Sequence, residues 1–299
     1  MGIRINQLSK SYGNSPTLKK ISLHFDYKGV IGLLGPNGAG KTSLIRILTG
    51  YLNQWDGEIT FDGLDLRNDL KKIQRQIGYL PENNPLYPEM YVREYLSYVG
   101  QLYQIKNPPV AEVIEKTGLE AHASKKIGIL SKGYQQRLGL AATLLHDPEY
   151  LFLDEPTNGL DPNQMVEIRK LIQDLGNEKT IFLSTHILRE VEAMCERVVI
   201  LHEGEVVLNQ TMAELQSDKN QVIVVSFDFR VENVALGKIP QIKSVVNTFD
   251  FDYELTFESE KDMRPAVFDF AHDNGLKILS LQQKNENLEK LFNKLTNGS

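Results

Sequence analysis

Apolar and polar residues alternate along residues 3–8 and 21–25, the two-residue period of half-buried strands. Residues 30–34 are apolar almost throughout and run into glycine-rich sequence, which predicts a buried central strand. Residues 42–48 then take on helical character, closed by Gly50. Val92, Tyr95, Leu96, Val99, Leu102 and Tyr103 recur at i, i+3, i+4 and i+7, one apolar face of a helix that Asn107-Pro108-Pro109 interrupts. Residues 110–117 resume with Val113 and Ile114 on one side. Another helix follows Ser131 and runs to His146, where Asp147-Pro148 stops it, because a residue before proline disfavours the helical region.

From residue 150 the pattern becomes rhythmic. Strand-like runs at 150–153, 180–184 and 198–201 alternate with helical runs at 162–175 and 187–196. That order predicts an α/β fold with a mostly parallel sheet. The pattern shifts near 212–220. Strands are predicted at 222–227, 242–249, 253–257 and 276–281, with helices at 262–274 and 287–295. The order suggests a small ferredoxin-like α+β domain. Two domains are therefore expected, 1–212 and 213–299, the first holding a helical subdomain over about 90–147.

Composition narrows the functional classes. The chain has 299 residues, 41% hydrophobic and 24% charged, an ordinary globular balance. Of the net charge of −6, −4 falls on residues 213–299, and neither part is basic enough to suggest a nucleic-acid footprint. The single cysteine, Cys195, rules out an intrachain disulfide and is expected to be a small buried residue of a cytosolic chain. Residues 1–10 lack the apolar core of a signal peptide, and Asn6 and Gln7 stand where a myristoylation motif needs Ser or Thr. No apolar run approaches the roughly 18 residues that span a bilayer, so any membrane role is expected to come through a partner.

The chemistry is carried by four segments. Gly35-Pro36-Asn37-Gly38-Ala39-Gly40-Lys41-Thr42, followed by Ser43, matches G-x-x-x-x-G-K-[ST] between a predicted strand and a predicted helix. The glycines let backbone N–H groups curl around phosphate at a helix N-terminus. Lys41 would neutralise the β- and γ-phosphates and Thr42 would hold Mg²⁺. The second segment is an apolar strand ending in Asp154-Glu155, suited to a Mg²⁺ carboxylate and a base that polarises water. In the third, His186 ends another apolar strand, which places it toward the γ-phosphate. Residues 130–137 (LSKGYQQR) are the fourth, and taken alone Ser131 reads as a helix N-cap. His24, His122, His146, His202 and His272 have no such context and read as structural or surface residues.

In this order and spacing GPNGAGKT, LSKGYQQR, LFLDEP, NGLDP and STH resemble the ATP-binding subunit of ABC transporters over about residues 1–212. The resemblance implies a P-loop NTPase fold, ATP and Mg²⁺ as ligands, and half of a homodimeric ATPase driving a separate membrane permease. It implies that Tyr12 stacks on adenine, that Ser131 and Gly133 contact the γ-phosphate held by the other protomer, that Asp161 communicates across the dimer, and that His186 is the switch histidine. It also implies a cytoplasmic protein held peripherally at the membrane by its permease, without insertion and without nucleic acid. The C-terminal part resembles the accessory domain of ABC-2-type exporter ATPases. The stretches GYLPENNPLYPEMYVREYL and LSKGYQQRLGLAATLLHDP, with the overall length, resemble the gliding-motility-associated ATPase of Bacteroidetes. Two other classes share the P-loop: a non-transport ABC ATPase acting on ribosomes or DNA, and a P-loop kinase or regulatory binder.

The chain departs from the family pattern at three residues, Lys132, Tyr134 and Glu82. LSGGQ reads Leu130-Ser131-Lys132-Gly133-Tyr134, keeping the serine and the second glycine. Glu82 stands where the family has glutamine. It could still bind Mg²⁺ or its water, but a carboxylate beside phosphate repels unless the metal is present, so Mg²⁺ dependence should be strong. Within residues 81–98, where the resemblance implies contact with the membrane partner, Pro85, Leu86, Tyr87, Pro88, Met90 and Tyr91 make an apolar, aromatic loop. It suits a permease-docking surface or burial against the helical subdomain.

Overall fold

The structure is a computed structural model describing residues 2–216, 220–259, 261–284 and 288–296. The chain divides into two units, Met1–Gln210 and Thr211–Ser299.

The first unit opens with β1 (Ile3–Tyr12), β2 (Ser15–Phe25) and β3 (Gly29–Leu34), followed by α1 (Lys41–Leu48). Next come β4 (Asp56–Phe61), β5 (Leu64–Asp65), α2 (Leu70–Gln74) and β6 (Ile77–Leu80). Helices α3 (Val92–Leu102), α4 (Val110–Lys116) and α5 (Lys132–Leu144) form the helical region. The unit then alternates through β7 (Tyr150–Asp154), α6 (Pro162–Gly176), β8 (Thr180–Thr185), α7 (Leu188–Met194), β9 (Arg197–His202) and β10 (Glu205–Thr211).

Two sheets result. One is ordered β2-β1-β4-β5, and its β1 pairs antiparallel with β2 and β4. The other is ordered β10-β9-β3-β8-β7-β6, with parallel pairing from β9 through β6. Every residue of β3, β7 and β8 is buried, as expected of parallel strands covered on both faces. One face of this sheet meets the antiparallel sheet and α1 through Phe25, Phe61, Phe152, Phe182, Leu44 and Ile45. Phe152 and Phe182 stack with centroids 4.9 Å apart, and Phe25 meets Phe182 edge-on at 5.0 Å. Helices α6 and α7 pack on the sheet from β3 and β8. The parallel strands thus all end at the same edge, where loops carry the polar groups.

Two details differ from the sequence pattern. In α3 only Val92, Tyr95 and Leu96 of the expected apolar face are buried, while Leu102 is 64% exposed and Tyr103 44%. Periodicity marks a face but not how far the neighbouring element extends along it. Strands β4 and β10 were also not anticipated from periodicity.

In the second unit α8 (Met212–Gln216) and β11 (Asn220–Phe227) lead to a short α9 (Asn233–Leu236), then β12 (Ile242–Phe249), β13 (Asp252–Glu258), α10 (Arg264–Asp273), β14 (Ile278–Lys284) and α11 (Leu288–Thr296). The sheet is ordered β12-β13-β11-β14 and is antiparallel throughout. That is a split βαββαβ arrangement, with the first crossover reduced to one short helix. Ile223, Val225, Phe227, Tyr253, Leu255 and Phe257 fill its core against Val267 and Ala271. The Asn287 start expected for the last helix lies outside the described residues.

Candidate active site

The loop between β3 and α1 is shaped by its glycines. Gly40 sits at φ +106°, and a Cβ there would run into Leu18 and the Thr17 carbonyl. Gly38, at φ +83°, faces open space. Gly40 also caps α1 without any side-chain hydrogen bond, so no side chain competes for the N–H groups of the first turn. Lys41 is 6% exposed, and its Nζ donates to the Gly35 and Pro36 carbonyls at 2.6 and 3.2 Å. Burial lowers its pKa, and the nearby carboxylates of Glu155, Asp154 and Glu82 oppose that.

Strands β7 and β8 deliver the opposing groups. Asp154 is 1% exposed at the end of β7, and its Oδ1 accepts from Thr42 Oγ1 at 3.3 Å and from Ser184 Oγ. Glu155 follows at φ +49°, a left-handed conformation that turns the chain sharply off the strand. Its backbone N–H is held by the Ser184 carbonyl at 3.1 Å. Its carboxylate lies 3.0 Å from His186 Nδ1 through either oxygen. Burial pushes the Glu155 carboxyl above the ordinary carboxylate range, opposed by the His186 hydrogen bond and charge and by Lys41, and assisted by Asp154. An open cleft is lined by Thr17, Asn37, Gly38, Gly40, Lys41, Thr42, Ser43, Glu82, Glu155, Asn158 and His186. Ala39 is buried within the same loop.

The structure also reveals residues that motif reading passed over. Glu190 is fully buried, and its two oxygens accept from Thr157 Oγ1 and, at 2.7 Å, from Thr185 Oγ1. It fastens the loop after Glu155 to the residue before His186. In the sequence Glu190 looks like any acidic residue of a surface helix, so only contact geometry finds it. Asn158 Nδ2 donates to Glu82 Oε1 at 3.1 Å, so the carboxylate that replaces glutamine meets an amide donor here.

Other expected site residues lie outside the cleft. Tyr12 is 48% exposed beside a second pocket formed with Lys10, Ser11, Tyr51, Asn53 and Gln54, and Lys10 Nζ stands 4.9 Å from its ring centre. Ser131 caps α5, accepting from the Tyr134 N–H at 3.4 Å. Gly133 is buried against Gln164, and Asp161 caps α6 by accepting from the Gln164 N–H at 2.9 Å. The Tyr134 ring stacks on His122 at 3.8 Å, so this departure from the family pattern is engaged within its own chain. In the aromatic loop, Tyr87 and Tyr91 remain 53% and 47% exposed, while backbone bonds from Ile127 and Gly128 to Met90 and Pro88 anchor it to the helical region.

The cleft suits a nucleoside triphosphate with Mg²⁺. A glycine cradle and a desolvated lysine fit phosphate oxygens. Thr42 and Asp154 offer hard oxygen donors side by side, the set Mg²⁺ takes. Among the described residues no cluster of three or more His, Cys, Asp or Glu could hold a metal unaided. Phosphate oxygens and water would have to complete the coordination, which is how Mg²⁺ is usually bound.

Comparison with known proteins agrees with this chemistry. Residues 18–158 match the family model described as "ABC transporter". The bacitracin transport ATP-binding protein BcrA of Bacillus licheniformis is 34% identical, over 99% of this chain and 97% of that protein. The linearmycin resistance ATP-binding protein LnrL of Bacillus subtilis is 30% identical, over 98% of each. A bacterial ABC transporter cassette solved as a dimer is 25% identical, with a TM-score of 0.63 over 70% of this chain and 98% of that one.

Proposed function

The chain belongs to the ABC transporter family of ATP-binding proteins and is an ATPase, and on that premise we propose that it is the energy-supplying subunit of an exporter. Two copies close on ATP and drive a separate membrane permease. The observation that carries this reading is a division of labour within one chain. Lys41, Thr42, Glu155 and His186 line a single cleft that neither Ser131, Gly133 nor Asp161 lines. A second copy can supply what the first does not hold.

Bound ATP would supply a γ-phosphoryl group for transfer to water, its charge offset by Mg²⁺. Lys41 and the loop N–H groups would bind phosphate oxygens, and Thr42 and Asp154 would hold the cation. Glu155 accepts a proton from water at a carboxylate oxygen, and its raised pKa makes it a better base than a solvated carboxylate. His186 fixes the orientation of that carboxylate through Nδ1.

The permease contact is assigned to the aromatic loop around Tyr87 and Tyr91, whose rings stay exposed although their backbone is anchored. Among the described residues no helix is long and apolar enough to cross a membrane, so attachment at the inner membrane face runs through that partner. Relatives named for bacitracin transport and linearmycin resistance favour a compound of that kind as the cargo. The narrower reading, an ATPase serving gliding motility, rests on sequence resemblance alone. Residues 213–299 are proposed as a separate accessory domain.

The test is mass by light scattering of the Glu155→Gln chain, with and without Mg²⁺-ATP. A doubled mass with ATP is expected. A monomer under both conditions removes the dimer cycle from the proposal.

A further inference from the structure

We propose that Gln164 is a positioning residue that fixes the Ser131 hydroxyl as a hydrogen-bond donor toward the phosphate of the partner's nucleotide. The inference rests on the trans role of Ser131 and deepens it. A serine hydroxyl has two acceptor lone pairs and one O–H. Here Ser131 Oγ accepts twice within its own chain, from the Tyr134 N–H at 3.4 Å and from Gln164 Nε2 at 3.2 Å. What remains is the O–H, which can only donate. Ser131 is exposed, so that single donor points toward whatever approaches the start of α5. A phosphate oxygen, which only accepts, suits such an obligate donor.

Gln164 is itself held from two sides. Its backbone N–H donates to Asp161 Oδ1 at 2.9 Å, so the side chain leaves from a capped first turn of α6. Its Oε1 faces Gly133, where a Cβ would stand 2.5 Å away. A Cβ at 133 would push the Gln164 amide from this place, so glycine there favours the reach to Ser131. Lys132, between them, lays its Nζ over Gly159 in the same loop. The segment 131–133 and the loop 159–164 are therefore joined within one chain, and the loop that bears Asp161 sets the polarity of Ser131.

Glutamate at 164 reverses that polarity, because a carboxylate accepts only and would draw the Ser131 hydrogen to itself. Methionine keeps the length and removes the bond without reversing it. The experiment measures the Mg²⁺-ATP concentration for half-maximal dimer formation of the full chain in the Glu155→Gln background, and steady-state turnover in the Glu155 background. Binding of a fluorescent ATP analogue to dilute, monomeric chain serves as the control.

Gln164→Glu should raise the half-maximal concentration roughly 10-fold or more and lower turnover alike, the worth of one hydrogen bond to a charged group. Gln164→Met should do less, and analogue binding to the monomer should hold. In a Ser131→Ala background, Gln164→Glu should add nothing, since the two act through one bond. If Gln164→Glu is as damaging there as alone, its effect is charge repulsion and the proposal is overturned. If Glu and Met are equivalent and both lower Tm, Gln164 is merely structural and the proposal is likewise overturned. If Ser131→Ala impairs dimer formation but neither Gln164 variant does, this inference fails and the trans role stands. If Ser131→Ala itself changes nothing, the trans role fails with it.

Discussion

Helices α1 and α5 both begin at a phosphate-type motif, yet their first turns are built in opposite ways. Helix α1 is capped by Gly40, which contributes no side-chain bond, and its lysine is buried among carboxylates. Helix α5 is capped by its own Ser131, which stands exposed and already bonded to Tyr134 and Gln164. The first holds its lysine out of water with groups of its own chain, at the edge of an open cleft. The second is a surface whose polar groups are arranged by neighbours of the same chain, and which we propose a second chain uses. A desolvated donor is worth far more than a solvated one, so the two ends should respond to substitution on different scales.

The largest effect is expected at the buried end. Lys41→Ala should lower ATP turnover about 10²–10³-fold, the usual loss when one preorganised donor to a developing charge is removed. Steady-state phosphate release measures it, with Ser131→Ala assayed beside it. A loss at Ser131 as large as that at Lys41 would break the comparison, because an exposed hydroxyl would then carry as much as a buried ammonium.

The same contrast explains what could be read in advance. Asp154, Glu155 and His186 follow apolar runs, and strand ends of a parallel sheet converge by topology, so their meeting at one edge was legible. The contacts of Ser131 were not, because Gln164 lies 33 residues away and its side chain crosses between two helix starts. Glu190 was hidden for the same reason: its burial depends on Thr157 and Thr185, which arrive from two different strand ends. In the second unit, alternation along β13 marks it as a strand, whereas α9 is too short to leave a period. Sequence period records which face an element buries, and it is silent on polar side chains that meet across elements.

A second, smaller effect concerns protons on the buried side. Burial raises the Glu155 pKa and His186 lowers it again. The acid limb of turnover should therefore lie above the ordinary carboxylate value, with activity lost as pH falls through it. Removing the histidine removes a term that favours the carboxylate. His186→Ala should then move the limb to higher pH, beyond any uniform loss of rate. The measurement is kcat/KM against pH for both chains. An unmoved limb would mean that His186 does not set the protonation of Glu155, and the cleft would be less tightly coupled than its geometry implies.

The smallest effect belongs to the exposed side and tests whether its cis contacts stabilise the fold. The Tyr134 ring stacks on His122 at 3.8 Å and faces the Arg137 guanidinium at 5.7 Å, while Arg137 reaches the Thr117 carbonyl at 3.0 Å and Glu167. These contacts tie the first turn of α5 to the helical region and to α6. Tyr134→Gln restores the family residue and forfeits the stack and the cation–π contact, about 0.5–1.5 kcal/mol beyond lost area for the ring pair. For a unit of this size that is a Tm lower by only a few degrees. The Ser131 bond to the backbone N–H of residue 134 does not need the ring, so ATP-driven dimer formation should survive. A fall in dimer formation with Tm unchanged would give Tyr134 a direct part in the contact between chains, and α5 would then resemble α1 more closely than its exposure suggests.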